Sequence, residues 1–131
     1  MRNTIEILFD PRPDSAAGLA WAKVAVSAAQ GGYDTYVDPE SIQGEGDVVR
    51  MWHLHDFKTA QSVEGKTYSS SKNHAEYDCS NRRRRILYFS WSTGNMGAGD
   101  VVHLVDSPSE WKPILPGSVA ELLYQRACSN S

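Results

Sequence analysis

Long apolar runs are missing from this sequence. Nothing in it approaches the roughly 20 consecutive apolar residues that a membrane-spanning helix needs, so no segment is read as transmembrane. An export signal is missing too, because the run from Ile5 to Phe9 is broken by Glu6 and ended by Asp10 and Pro11, leaving no apolar centre for a signal peptide. Charge of one sign is scarce. With 16 acidic against 13 basic residues the formal charge is −3, which predicts no bulk attraction to nucleic acid or anionic membrane and makes any basic function local. Cysteine is scarcer still: Cys79 and Cys128 stand alone, with no Cys-x-x-Cys and no histidine at finger spacing, which argues against a structural zinc site. Motifs of catalysis are absent as well. There is no Gly-x-Ser-x-Gly elbow and no Cys–His pairing, and the carboxylates stand singly at turns, so no catalytic residue and no cofactor is assigned. The glycine-rich loop Gly94–Gly99 lacks the Lys-Ser/Thr ending of a phosphate loop and precedes a strand, which makes it a hairpin turn.

What is present describes one globular domain. Hydrophobic residues make up 40% and aromatics 10% of 131 residues, enough for a single core and too little chain for two. Residues 1–19 read as a poorly ordered lead, in which Ile5, Ile7 and Phe9 alternate and could add an edge strand; residues 20–131 read as the domain. Period-2 patterns mark strands from Trp21, at Tyr33–Val37, at Val48–Phe57, at Lys66–Asp78, at Arg83–Ser92 and at Val101–Val105, separated by Gly, Pro and Asp turns. The polar composition of Lys66–Asp78 suggests an exposed or edge position, and the aromatic half of Arg83–Ser92 is expected to fill the core. Ser118 with Glu121 forms a capping box that starts a C-terminal helix, whose stripe is read as Val119, Leu122, Leu123 and Ala127. The expected fold class is α+β: a single antiparallel meander of about six strands packed by one C-terminal helix.

Two groups of residues suggest binding. Arg82, Arg83, Arg84 and Arg85 could grip a protein or a sulfated polyanion, although alternation sends only two of them to each face of their strand. His53 and His55 share a strand face at a spacing that suits a metal if His74 or His103 adds a third ligand, which makes a small-ligand or metal (zinc or haem) binding protein the alternative reading. The two cysteines are either unrelated buried thiols or a single disulfide, and their spacing leaves both readings open.

Several segments in order, Tyr36-Val37-Asp38-Pro39-Glu40-Ser41-Ile42, Val49-Arg50-Met51-Trp52 with Asp56-Phe57, Glu76-Tyr77-Asp78-Cys79 with Arg83-Arg84-Arg85, Trp111-Lys112-Pro113-Ile114, Pro116-Gly117-Ser118 and Ala127-Cys128, resemble the bacterial surface-adhesin protein E family. The resemblance implies one disulfide, Cys79–Cys128, and a non-enzymatic protein of the periplasm or cell surface. It also implies a protein partner of the host-matrix type, and a homodimer is a further expectation.

Overall fold

The computed structural model describes residues 21–129, so the lead and its possible edge strand lie outside the described residues. In chain order the strands are β1 (Ala22–Ser27), β2 (Tyr33–Val37), β3 (Gln43–Glu45), β4 (Val48–Val63), β5 (Lys66–Asp78), β6 (Arg83–Ser92), β7 (Val101–Val105) and β8 (Lys112–Pro113), followed by helix α1 (Val119–Ser129). They form one antiparallel sheet in the order β1-β2-β4-β5-β6-β7, the meander expected from the turn spacing. Two short strands that the pattern did not reveal complete it. β3 runs beside Val48–Arg50 on the edge of β4 that β2 also uses, and β8 pairs with Arg83 and Arg84 on the edge of β6 that β7 uses.

The β4–β5 hairpin turns on Glu64 and Gly65, whose φ values are +49° and +82°. That left-handed pair matches the twist of the flanking strands, and glycine takes the second position without steric cost. β4 is longer than its pattern suggested. Between Asp56 and Gln61 it carries extra residues that its partner does not match, so the register against β5 shifts there.

β5 is not an edge strand. It lies between β4 and β6, and Ser70, Ser71, Asn73, Glu76 and Asp78 on it are buried. Polar residues are tolerated there because each finds a partner. The Ser70 hydroxyl donates to the Gly94 carbonyl at 2.7 Å and accepts from the Gly97 amide at 2.9 Å, and Asn73 Nδ2 donates to the Ser71 carbonyl at 3.1 Å.

Helix α1 covers one face of the sheet. Val37, Val49, Met51, Ala75 and Tyr77 from the strands meet Ile114, Leu123, Tyr124 and Ala127. The Ser118 hydroxyl accepts from the Glu121 amide at 3.1 Å, as the capping box requires, while the Glu121 carboxylate reaches back to the Gly117 amide rather than to Ser118. The helix stripe also differs by one residue from its expectation: Tyr124 is inside and Leu122 is 46% exposed. The aromatic half of β6 is likewise outside this core. Phe89 and Trp91 are half-buried and join Tyr68, Phe57 and His103 in a separate ring cluster, with Tyr68 and Trp91 stacked at 4.3 Å. Cys79 and Cys128 form a disulfide that ties the end of β5 to the end of α1, and the Tyr124 hydroxyl donates to the Cys79 carbonyl at 2.7 Å.

Adjacent helix residues test this packing. Leu123→Ala is expected to cost about 3 kcal/mol because Leu123 is fully buried. Leu122→Ala should stay within about 0.5 kcal/mol. Urea denaturation of the two variants would show the contrast, and equal losses would mean that the helix presents a different stripe.

Candidate binding surface

The sheet has a second face, and among the described residues no helix packs on it. Register places side chains there in rows across β4, β5 and β6: Val48, Asp78 and Arg83, then Arg50, Glu76 and Arg85, then Trp52, His74 and Tyr88. The 3-10 turn Asn95–Gly97 covers only one end, where Asn95 Nδ2 and the Met96 amide both donate to Asp56 Oδ1.

The arginine rows are held by carboxylates. Glu76 receives Arg85 Nε on one oxygen at 2.7 Å and Arg50 Nε on the other at 3.0 Å, while Asp78 receives Arg83 Nε at 2.9 Å. The guanidinium carbons of Arg83 and Arg85 each lie 4.7 Å from the Trp111 ring centre, so this tryptophan fills the space beside both. These bonds run through Nε, and the side chains of Arg50, Arg83 and Arg85 remain 47%, 43% and 32% exposed. Arg82 does something else: its Nη2 meets Glu121 at 2.9 Å, joining the sheet end to the first turn of α1. Arg84 faces the helix side with Tyr77, its register partner.

Beside the arginine rows, the Trp52 and His74 rings stack at 4.5 Å with 7° between planes, and Tyr88 meets Trp52 edge-on at 5.4 Å. The Lys72 ammonium lies 5.9 Å from the Trp52 ring centre. At the β3–β4 corner, Gln43, Gly44, Glu45, Val48 and Arg50 line a half-open cavity of about 470 Å³. The row of Trp52, His74 and Tyr88 is not legible as a row in the sequence, because it exists only once β4, β5 and β6 are in register. The signal available was that each of the strands carries an aromatic on its polar side.

His53 and His55 lie on the covered face with ring centres 4.9 Å apart. His53 is 1% exposed, and Nδ1 of His55 is engaged by the Thr35 hydroxyl at 2.8 Å. His74 is on the opposite face and His103 packs against Trp91, so neither is brought to the pair as a third ligand. Among the described residues no group of three or more His, Cys, Asp or Glu is arranged to hold a metal.

Burial dominates the histidines' titration. It lowers His53 well below its ordinary value, helped by the neighbouring His55 and by the Arg84 charge, and takes His55 down to about 4 with the same help from Arg84. Burial and Arg50 take His74 down to about 4 against the opposing pull of Glu76. For Glu76, burial pushes upward, but hydrogen bonds and charge from Arg85 and Arg50 outweigh it and the carboxyl is held low.

Residues 21–129 match the sequence profile of the family described as Surface-adhesin protein E. No match is found among curated proteins. Among solved structures, crystal form II of Haemophilus influenzae protein E superposes with a TM-score of 0.62 at 16% identity, covering 83% of this chain and 97% of that one. A second structure of Haemophilus influenzae protein E gives 0.60 at 17% identity, covering 84% and 94%. Protein E from non-typeable Haemophilus influenzae gives 0.57 at 17% identity, covering 84% of each chain. At these identities the likeness establishes the shared fold, a large antiparallel sheet with one helix.

Proposed function

The chain belongs to the Surface-adhesin protein E family, and from that premise we propose that it is a non-enzymatic, extracytoplasmic adhesion module that grips a protein partner through the open face of its sheet. One observation carries the reading: among the described residues the helix covers one face only, and the other presents Trp52, His74 and Tyr88 beside the partly exposed guanidinium groups of Arg50, Arg83 and Arg85. Aromatic area and guanidinium forks are the residue types that dominate contact energy at protein interfaces. The disulfide supports an oxidising compartment.

Charge favours a protein of the host-matrix type over a sulfated polyanion. Glu76 is shared by two arginines and Asp78 neutralises a third, so the arginine rows keep about one unit of positive charge. Salt screens so small an excess beyond about 10 Å at 0.1 M, which leaves short-range contact as the source of affinity.

Binding to immobilised matrix proteins tests this. Trp52→Ala with Tyr88→Ala is expected to weaken binding at least about tenfold, the loss expected of truncated interface aromatics. Arg83→Ala with Arg85→Ala should weaken the same interaction by loss of the forks. Wild-type affinity in both double variants would remove this face from the function, whereas salt-sensitive heparin binding would favour the polyanion. A homodimer would use the outer edge of β7, where Val101 and Leu104 are exposed. Metal or haem binding through His53 and His55 has less support because His53 is buried and His55 already has a hydrogen-bond partner. Zinc or haem titration that leaves Tm unchanged would dispose of it.

A further inference from the structure

The strands carry carboxylates at Asp34, Glu45, Asp56, Glu76 and Asp78, and all but one of these have a partner. Lys23 and Lys58 meet Asp34, the Asn95 side chain and the Met96 amide meet Asp56, Arg50 and Arg85 share Glu76, and Arg83 holds Asp78. Glu45 is the exception. Among the described residues its carboxylate meets no cation and no hydrogen-bond donor. It stands in the wall of the half-open cavity of about 470 Å³ at the β3–β4 corner, with Gln43, Gly44, Val48 and Arg50. Register fixes which way that cavity faces: Gln43 lies opposite Arg50 and Glu45 opposite Val48, so these side chains belong to the open face. The same rows continue into Glu76 with Arg85 and into Asp78 with Arg83, so the cavity adjoins the arginines.

The lining selects the ligand. Glu45 offers an unpaired negative charge, the Gln43 side-chain carbonyl a further acceptor, and half-buried Val48 an apolar surface. Asp47, exposed in the turn that follows Glu45, adds negative charge, and the hairpin from Gln43 to Val48 holds no basic residue. Arg50, the one cation in the lining, is already held by Glu76 through Nε at 3.0 Å. An anion would meet Glu45 with repulsion. A metal ion would lack ligands, because among the described residues no group of three or more His, Cys, Asp or Glu is gathered to hold one. What fits is a cation on an apolar stem, which lays its methylenes on Val48 and brings its charge to the carboxylate. The walls are also held from outside. The Cys79 amide donates to the Asp47 carbonyl at 2.9 Å, and the Trp52 amide donates to the Ser41 hydroxyl at 2.9 Å shortly before β3. Walls fixed in advance lose little freedom on binding.

We propose that the cavity at the β3–β4 corner receives a lysine or arginine side chain of the protein partner, its cation meeting Glu45 and its stem lying along Val48. This rests on the reading of the open face as the partner surface, and it adds that the partner is basic where it meets this corner. A negative corner beside rows with a small positive excess then sets the orientation in which the partner docks.

Nuclear magnetic resonance of the full chain tests the cavity without a matrix protein. Nα-acetyl-lysine amide and Nα-acetyl-arginine amide are expected to give saturable shifts of the Glu45, Val48 and Arg50 amide signals. Nα-acetyl-norleucine amide, which keeps an apolar stem and lacks the charge, should give none. Glu45→Gln should abolish the response, and the variant keeps the fold because Glu45 is exposed and unpaired. On immobilised matrix proteins Glu45→Gln is expected to weaken binding about fivefold, the upper range for an exposed ion pair, and Glu45→Lys to weaken it further. No shifts with either basic derivative, equal shifts with the norleucine derivative, or a response that survives in Glu45→Gln would overturn the proposal. Wild-type matrix affinity in Glu45→Lys, where Trp52→Ala with Tyr88→Ala has weakened binding, would also overturn it and leave the open-face reading in place. The reverse pattern would support the cavity and remove the aromatic row from the contact.

Discussion

Lowering the pH from 6.5 to 4 is expected to cost the fold roughly 5 kcal/mol, the largest single effect the structure predicts. In the unfolded chain the histidines take up protons near 6.5, whereas in the fold His55 and His74 do so only at about 4 and His53 lower still. The unfolded state therefore binds more protons throughout that window. Stability is complete above 6.5 and declines as the pH falls towards 4. Below that, the carboxyls of Glu76, Asp78 and Glu121 continue the loss, because arginine or backbone hydrogen bonds hold each of them low in the fold. Urea midpoints at pH 7, 5.5 and 4 measure the decline, and His74→Gln should flatten part of it. A midpoint unchanged between pH 7 and 4.5 would contradict the burial of these rings.

Removing the disulfide ranks second. Cys79 and Cys128 enclose a 49-residue separation, and opening such a loop in the unfolded chain is worth about 4 kcal/mol on the chain-entropy account. That is a large part of the 5–15 kcal/mol typical of a domain. Cys79→Ala with Cys128→Ala, or reduction of the wild type, should lower Tm by roughly 15 °C or more. Intact protein should also be two mass units lighter than its reduced form. A reductant that leaves Tm unchanged would show that the bond is incidental to stability.

Much of this architecture is legible in the residues. Alternation locates the six principal strands, Ser118 and Glu121 locate the helix start, and the family resemblance pairs the cysteines. The position of β5 is not legible, because a run of Ser, Thr and Asn reads as solvated until the loop carrying Gly94 and Gly97 is seen to supply hydrogen bonds to Ser70. The open-face row is hidden for a different reason. Counting back from the Glu64-Gly65 turn would set Trp52 opposite Tyr77, but the extra residues between Asp56 and Gln61 bring it opposite His74. A bulge has no compositional signature there, and it moves every partner on the strand. The fate of the arginines is half legible. Alternation separates Arg83 and Arg85 from Arg84, but it cannot show that Glu76 and Asp78 lie directly across from Arg85 and Arg83.

The bond between β5 and α1 has a mechanical consequence for a protein whose family works as an adhesin. Tension applied between Ala22 and Ser129 reaches Cys79 and crosses the sulfur atoms to Cys128, so β6, β7, β8 and most of α1 carry none of it. Only the chain from β1 to the end of β5 can pay out under load. At about 3.5 Å per residue that limits extension to roughly half of what the reduced chain would allow. The disulfide therefore acts as a tether that caps how far the domain can yield under load, and it keeps Arg83, Arg85 and Tyr88 of the open face inside the segment that force cannot stretch.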